Sequence, residues 1–131
     1  MTKQFSLERF PLHLGLGARA VPEPEFTGME WYAAYVERHA ADGGEGRLVS
    51  MYSFSENWTS WERHPAGDEA VICTAGEITL IQELPGGSQK VALRAGDYAI
   101  NPRGVWHTAD VAGQATALFI TSGRGTEHRP R

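Results

Sequence analysis

The sequence predicts an all-β protein, a small barrel or sandwich with one amino-terminal helix packed outside it. After residue 46 the chain consists of short runs of strand-forming residues separated by turns rich in glycine and proline. At 131 residues the chain is long enough for one compact domain. We therefore expect a single domain with an arm and helix over residues 1–45, a β-barrel over residues 46–122 and a loosely ordered tail over residues 123–131.

The segment Leu12–Val21 is expected to form a short edge strand or an extended arm. It is mostly apolar or small, it contains Gly15 and Gly17, and it ends before Pro22. An exposed sheet edge presents unpaired backbone groups to which a second chain can add. This edge therefore predicts a homodimer.

A helix is expected from Met29 to about Ala41, because apolar residues recur there at helical spacing. Thr27 and Glu30 have the spacing of a capping box at its start. Phe26 and Trp31 have the spacing of a hydrophobic staple. A pair of glycines follows the helix and is expected to end it.

The predicted strands follow one another at short intervals. Turns separate nearly all of them, notably at residues 65–68, 75–76 and 102–104. The tail combines glycine, proline and arginine without an apolar period, which is why we expect it to be loosely ordered. The β-prone runs are Leu48–Phe54, Trp58–His64, Ala70–Thr74, Ile78–Leu84, Lys90–Leu93, Tyr98–Asn101, Val105–Ala109 and Ala115–Thr121.

Charge and cysteine content exclude several classes of protein. With 12 basic and 16 acidic residues the formal net charge is −4, so we expect no binding to nucleic acid or to an anionic membrane. Cys73 is the only cysteine, which excludes an intrachain disulfide and a thiolate zinc cluster. The segment Met1–Phe10 carries charges and no apolar run of leader length, so we expect a cytoplasmic protein.

Side chains that can bind a metal are concentrated in two segments. On a strand, alternate side chains share one face, so Trp58, Ser60, Glu62 and His64 would point to the same side. If that side is the barrel lumen, a carboxylate and an imidazole meet there. The turn at residues 65–68 then reverses the chain.

Two more potential ligands return to the same region. Glu69 begins the strand after the turn, and His107 follows the turn at residues 102–104. Two nitrogen and two oxygen ligands suit Mn, Fe, Ni or Zn better than Ca or Mg. The predicted metal ligands are Glu62, His64, Glu69 and His107.

The two segments resemble the paired motifs of the cupin superfamily, and the resemblance runs from Trp58 to Val111. In three places the chain departs from the motifs: Glu62 stands at the first histidine, Glu56 at the opening glycine and Val111 at the final asparagine. The positions that fit are His64, Glu69, Gly76, Gly96, Pro102, Gly104 and His107. The resemblance implies a jelly-roll β-barrel, of a small single-domain type, that holds a metal or a small ligand inside, often in a homodimer.

The resemblance does not imply one reaction, and three hypotheses remain open. The first is a metal-dependent enzyme, of dioxygenase or isomerase type, that acts on a small polar molecule. The second is a non-catalytic module that binds a small molecule without metal, and the third is a barrel filled by its own side chains. If turnover needs no metal, Glu62 and His107 are the predicted acid–base pair. Trp58, Ser60 and Phe119 are the predicted substrate contacts.

The other histidines are expected to have structural roles. His13, His39 and His128 lie outside the two segments, and a single histidine on a strand or helix most often forms a structural hydrogen bond.

Overall fold

A computed structural model describes residues 3–131; Met1 and Thr2, which begin the predicted arm, lie outside the described residues. The described chain forms one α-helix, α1 (Glu30–Arg38), and ten strands. The strands are β1 (Leu12–Gly15), β2 (Arg19–Pro22), β3 (Arg47–Phe54), β4 (Ser60–Arg63), β5 (Glu69–Leu84), β6 (Gly87–Arg94), β7 (Tyr98–Asn101), β8 (His107–Asp110), β9 (Ala115–Thr121) and β10 (Glu127–Pro130).

The long strand β5 joins two antiparallel sheets. Its first half pairs with β7 and β9, and the sheet continues from β9 through β3 and β1 to β2. Its second half pairs with β6 and β8, and that sheet continues from β8 through β4 to β10. The architecture confirms the prediction of an all-β jelly-roll barrel with one helix.

The core lies between the two sheets and follows from the alternation of side chains along each strand. On β9, the residues at positions 115, 117, 119 and 121 are buried, and those between them are partly exposed. The core is mostly aliphatic at one end of the barrel, whereas polar side chains gather at the other end. The buried cluster consists of Val71, Cys73, Ile78, Leu80, Leu93, Ala109, Val111, Ala115, Ala117 and Phe119.

Helix α1 packs on the outside of the barrel through Trp31 and Tyr35, which bury their rings against Leu48 of β3. Phe26 contacts Trp31 with ring centroids 5.7 Å apart, as the staple spacing predicted. The predicted capping box is wrong, because no side chain caps the amino terminus and the helix begins later, at Glu30. A short 3-10 helix, Ala40–Glu45, replaces the last predicted turn.

The amino-terminal segment forms a hairpin rather than one strand. β1 and β2 pair with each other, and β1 pairs on its other side with β3. Gly17 and Ala18 adopt left-handed backbone angles, with φ of 72° and 58°, and this conformation lets the chain reverse within three residues. The edge of the sheet is therefore β2 alone, not the whole of Leu12–Val21.

No turn occurs at residues 75–76, where the sequence analysis predicted one. β5 passes through this point with a bulge between Cys73 and Ala75. Gly76 has a φ of 69°, and a Cβ atom there would lie 1.9 Å from the carbonyl oxygen of Gln114. This glycine permits a close approach of two strands instead of a chain reversal.

The prediction of a loosely ordered tail is wrong. Residues 127–130 form β10, which pairs with all four residues of β4. Side-chain contacts reinforce this pairing: Arg131 bonds the backbone carbonyls of Trp58 and Ala109. These partners are distant in sequence, so the local composition of the tail gives no indication of them.

Candidate metal centre

The four side chains predicted as metal ligands lie on neighbouring strands at the polar end of the barrel. Glu62 of β4 stands opposite His107 of β8 in the strand register. His64 follows β4, and the turn after it returns the chain to Glu69, the first residue of β5. Pairing of β5 with β8 places Gln82 opposite His107, and Gln82 bonds Asn101, which pairs with Glu69.

Distances between these groups are short. Glu69 lies between the two histidines, with Oε2 3.2 Å from Nε2 of His64 and Oε1 3.2 Å from Nε2 of His107. Oε1 of Glu62 lies 3.9 Å from Nε2 of His107. One ligand atom from each of Glu62, His64 and His107 lies within 4.8 Å of the others.

The two imidazoles present unused nitrogen atoms to this point. Within residues 3–131, neither Nε2 atom has a hydrogen-bond partner, although both are buried. The Nδ1–H group of His107 donates to the carbonyl oxygen of Val105 at 3.3 Å, so the Nε2 atom of a neutral His107 ring carries a lone pair. A carboxylate between two imidazole nitrogens is a donor set that fits a divalent transition metal.

Glu69 is held in place by donors from two other strands. Asn101 of β7 donates its Nδ2–H to Oε1 at 3.1 Å, and Thr121 of β9 donates its hydroxyl to Oε2 at 2.7 Å. Gln82, further along β5, in turn donates to Oδ1 of Asn101 at 2.9 Å. These supporting bonds fix both carboxylate oxygens toward the imidazoles.

The charges at the site are coupled. Burial tends to raise the pKa of Glu69, but its interactions with His107 and His64 outweigh burial and hold this pKa well below the usual range. Burial lowers the pKa of His64, but the adjacent Glu69 and the charge of Glu62 outweigh it, so the net pKa is raised. The site therefore holds carboxylate charge at neutral pH and attracts cations.

The sequence from residue 53 to residue 123 matches the family model described as the cupin domain. This chain belongs to the cupin family. The match covers the strands that carry all four predicted ligands.

Solved structures agree with this assignment at the level of the fold. A cupin-2 domain containing protein from Shewanella frigidimarina is 20% identical, with a TM-score of 0.50 over 65% of this chain and 71% of that chain. An oxalate oxidase in complex with glycolate is 18% identical, with a TM-score of 0.54, and covers 62% of this chain and 45% of that chain. No curated protein matches the cupin at the sequence level.

A third similar structure is hydroquinone 1,2-dioxygenase from Sphingomonas sp. TTNP3 with 4-hydroxybenzoate bound. It is 18% identical, with a TM-score of 0.51 over 57% of this chain and 58% of that chain. The cupin described here therefore spans little more than half of that protein and less than half of the oxalate oxidase chain.

Glu62 lies at the mouth of the cupin site and is the most exposed of the four predicted ligands, with 26% of its side chain accessible. Its Oε2 atom accepts a hydrogen bond from Nε2 of His128 at 2.9 Å. Two nearby arginines bond other groups: Arg63 pairs with Glu127, and Arg103 bonds the carbonyls of residues 65 and 66.

Of the predicted substrate contacts, Trp58 lies beside His107 and Phe119 lies beside Trp58. The ring of Trp58 lies 6.4 Å from that of His107 and 6.0 Å from that of Phe119. Nε1 of Trp58 is buried and, in the described chain, has no hydrogen-bond partner. Ser60 lies on the same face of β4 as Glu62 and is half-buried. The cupin lumen thus has an aromatic wall next to its polar centre.

Helix α1 contributes a residue that the sequence analysis missed. The hydroxyl of Tyr32 bonds the hydroxyl of Tyr52 on β3. The pKa of Tyr32 is raised chiefly by burial, and the charges of Glu62 and Glu69 add to the effect. The Tyr32 hydroxyl therefore reaches Tyr52, whose ring packs against the main core cluster, although its helix packs outside the barrel.

The carboxyl-terminal residues near the centre were also missed. Thr126 bonds Nδ1 of His64 at 2.9 Å, and His128, expected to have a structural role away from the site, bonds Glu62. One feature of the sequence could have indicated this role. If the segment is a strand, His128 lies on the opposite face from its charged neighbours Glu127 and Arg129.

A second histidine cluster lies between β1 and the 3-10 helix. His13 is buried, and its two ring nitrogens bond Tyr35 and Asp42, both at 2.6 Å. His39 stacks on His13 at 3.6 Å and bonds Glu23 at 2.9 Å. Since both nitrogens of His13 are occupied, the cluster is a structural hydrogen-bond network.

Among the described residues, no helix has the length and apolar character needed to cross a membrane.

Proposed function

We propose that this cupin binds a divalent transition metal, Mn, Fe, Ni or Zn, in the barrel lumen and acts there on a small polar metabolite. The observation that carries the proposal is the pair of buried, unpartnered Nε2 atoms of His64 and His107 on either side of Glu69. Two nitrogens and one carboxylate would bind the metal on one side and leave other positions free. Glu62, at the mouth, would be the fourth ligand.

The bound metal would supply Lewis acidity to a substrate carbonyl or hydroxyl oxygen. The residues of the chain have separate roles around it. Oε1 of Glu62 faces His107 from the mouth, where it would complete the ligand set. Trp58 and Phe119 form the wall against which the carbon skeleton of the metabolite would rest. An enzyme of the dioxygenase or isomerase type would use this arrangement.

Hydroxy acids are suitable first ligands to test. Two proteins with the same fold hold glycolate and 4-hydroxybenzoate, and each of these molecules carries a hydroxyl and a carboxylate group. Such a molecule could contact the metal through its oxygens and the aromatic wall through its carbon atoms. Incorporation of both atoms of O2 into the product would identify a dioxygenase, whereas turnover without oxygen uptake would identify an isomerase.

Metal content is the direct test. Protein purified without a nickel column or a chelator should contain about one transition-metal ion per chain by elemental analysis. His107→Ala should lose the metal because it removes one of the two nitrogen ligands. His39→Gln is the matched control, since it changes a histidine of the structural cluster and should retain the metal. Wild-type protein that binds none of the four metals on titration would refute the proposal.

A metal-free binding module is the second candidate. The short contacts of Glu69 with both histidines favour it, because protonated imidazoles could balance the carboxylate charge without a metal. A ligand that binds the folded protein raises its thermal midpoint by mass action, whether or not turnover occurs. A midpoint shift in metal-free protein would support the module. Turnover in metal-free protein would instead assign acid–base catalysis to Glu62 and His107.

A further inference from the structure

The carboxyl-terminal strap, defined here as Thr126 and β10, runs alongside the strand that carries Glu62. The register places His128 of the strap directly opposite Glu62. The match to the cupin domain ends at residue 123, before the strap begins. The strap is therefore a feature of this chain outside the matched domain. One face of it carries Thr126 and His128, which bond two of the four candidate ligands, and this face is called the inner face although His128 itself is exposed.

The outer face of the strap is clamped to the barrel. The Arg129 guanidinium lies 5.1 Å from the ring of Trp61 and 4.6 Å from the ring of Trp106. Arg63 contacts the Trp106 ring at 4.7 Å and pairs with Glu127 at 2.9 Å. Cation–π contacts and an ion pair together hold the strap against β4 and fix the position of its inner face.

Thr126, on the inner side, fixes the tautomer of His64. A threonine hydroxyl has one proton, and Thr126 donates it to the carbonyl oxygen of Gly123 at 3.0 Å. The contact of 2.9 Å between Thr126 Oγ1 and His64 Nδ1 must therefore have Nδ1–H as its donor. A neutral His64 ring then carries its lone pair on Nε2, the atom that faces Glu69.

His128 fixes the carboxylate of Glu62 in a similar way. Its Nε2–H group donates to Oε2 of Glu62, which leaves Oε1 facing His107. A carboxylate held at one oxygen loses less rotational freedom when the other oxygen binds an ion. Both ligands at the mouth side of the centre are thus oriented by the strap.

We propose that the strap is a positioning element for the metal centre, in which Thr126 sets the ligand tautomer of His64 and His128 orients Glu62. The inference rests on the proposed metal-binding function. Neither residue is catalytic, because each acts through the ligand that it bonds.

The tautomer can be measured in the full chain without metal. Proton–nitrogen correlation spectra of the imidazoles, recorded on chelator-treated protein at a pH where the rings are neutral, distinguish Nδ1–H from Nε2–H. The spectrum of His64→Gln identifies the His64 signals by their loss. We expect Nδ1–H in the wild type and in Thr126→Ser, which keeps the hydroxyl. In Thr126→Val, which keeps the shape and loses the acceptor, we expect a mixture of tautomers.

Zinc affinity is the second measurement. Competition titration with Zn²⁺ should show a loss of about 10- to 100-fold in Thr126→Val, because ligand-orienting hydrogen bonds contribute on this scale. His128→Ala should also bind more weakly, and His128→Gln, which keeps an N–H donor, should recover part of the affinity. Glu77→Gln is the matched control, since it changes an exposed carboxylate of β5 that pairs with Arg94, away from the strap, and should bind as the wild type does.

The outcomes separate this inference from the proposed function. A wild type that binds none of the four metals and has Nδ1–H on His64 contradicts metal binding, and with it the positioning of a metal ligand, while the role of Thr126 in setting the tautomer stands. An Nε2–H tautomer in the wild type overturns the role of Thr126 whether or not metal binds. If the wild type binds zinc and Thr126→Val and His128→Ala bind it equally well, the strap does not position the ligands. Thermal melts of each variant verify that the compared proteins are folded.

Discussion

His107 and Glu62 stand opposite each other across the pairing of β4 and β8, with His107 Nε2 and Glu62 Oε1 3.9 Å apart. The pair joins a buried imidazole, with 1% of its side chain exposed, to a carboxylate at the mouth of the barrel. One member belongs to the enclosed part of the centre and the other can meet an entering molecule. We therefore expect the identity of residue 62 to affect both metal choice and access.

Replacement of Glu62 by histidine should change the metal preference. Glu62→His gives the centre three imidazoles and one carboxylate, and nitrogen-rich sites favour Zn or Ni over Mn. We expect the ratio of Zn to Mn affinity, measured by competition with a chelating dye, to rise about tenfold or more. Glu56→His, which adds an imidazole at an exposed position, serves as the control. An unchanged ratio would show that residue 62 is not a ligand.

Two glycines with the same backbone angle should differ in their tolerance of a methyl group. Gly76 and Gly104 have φ of 69° and 72°, so alanine at either position costs about 1–2 kcal/mol of backbone strain. Only at Gly76 would the Cβ atom also collide with a backbone oxygen. Urea unfolding should therefore show a larger loss of stability for Gly76→Ala than for Gly104→Ala. Equal losses would contradict the close approach of β5 to residue 114.

Asp42 should make folding stability sensitive to acid. The hydrogen bond from His13 and the nearby Arg19 hold the pKa of Asp42 below its usual range, against the opposing effect of burial. A carboxyl whose pKa is lower in the folded state stabilises the protein above its unfolded pKa, about 3.9, and the contribution is lost as the pH falls through the folded value. Asp42→Asn should therefore be less stable than the wild type at neutral pH.

Denaturant unfolding of the Asp42→Asn variant and the wild type at a series of pH values checks this. The difference in unfolding free energy should shrink as the pH falls below about 4. A difference that stays constant down to low pH would mean that the asparagine acts through shape and not through charge.

We propose that two copies of the chain associate through the exposed edge at β2. This strand ends the first sheet, and its outer side has no strand partner within the described residues. Light scattering over a range of concentrations should detect a dimer at micromolar protein. Ala20→Lys, which adds a charge at an exposed position of the edge, should reduce the dimer fraction. A monomeric wild type would contradict the proposal.

The fold class and the gathering of the central side chains could be predicted from the sequence, because both depend on local patterns. Alternation along β4 put Glu62 and Ser60 on one face, and turn residues brought Glu69 back toward His64. Side chains alternate between the two faces of a strand even when the predicted ends of that strand are wrong by one or two residues.

The strap could not be predicted in this way. Its order comes from contacts of Arg129 with Trp61 and Trp106 and from its pairing with β4, all of them distant in sequence. Local composition around Arg129 is that of a solvated end. The turn expected at residues 75–76 failed for a related reason: Gly76 serves a close approach to another strand, and only the folded chain reveals that neighbour.

The long strand β5 connects the strand register of both sheets to the candidate metal centre. Glu69 and Gln82 lie near opposite ends of this strand, yet both bond the same amide, that of Asn101. One partner belongs to the half of β5 in the first sheet and the other to the half in the second. A slip of one residue in either half would turn one of them outward. The Asn101 amide can therefore form both hydrogen bonds only when both halves of β5 are in the correct register. Only then is the Glu69 carboxylate held by its complete set of hydrogen bonds.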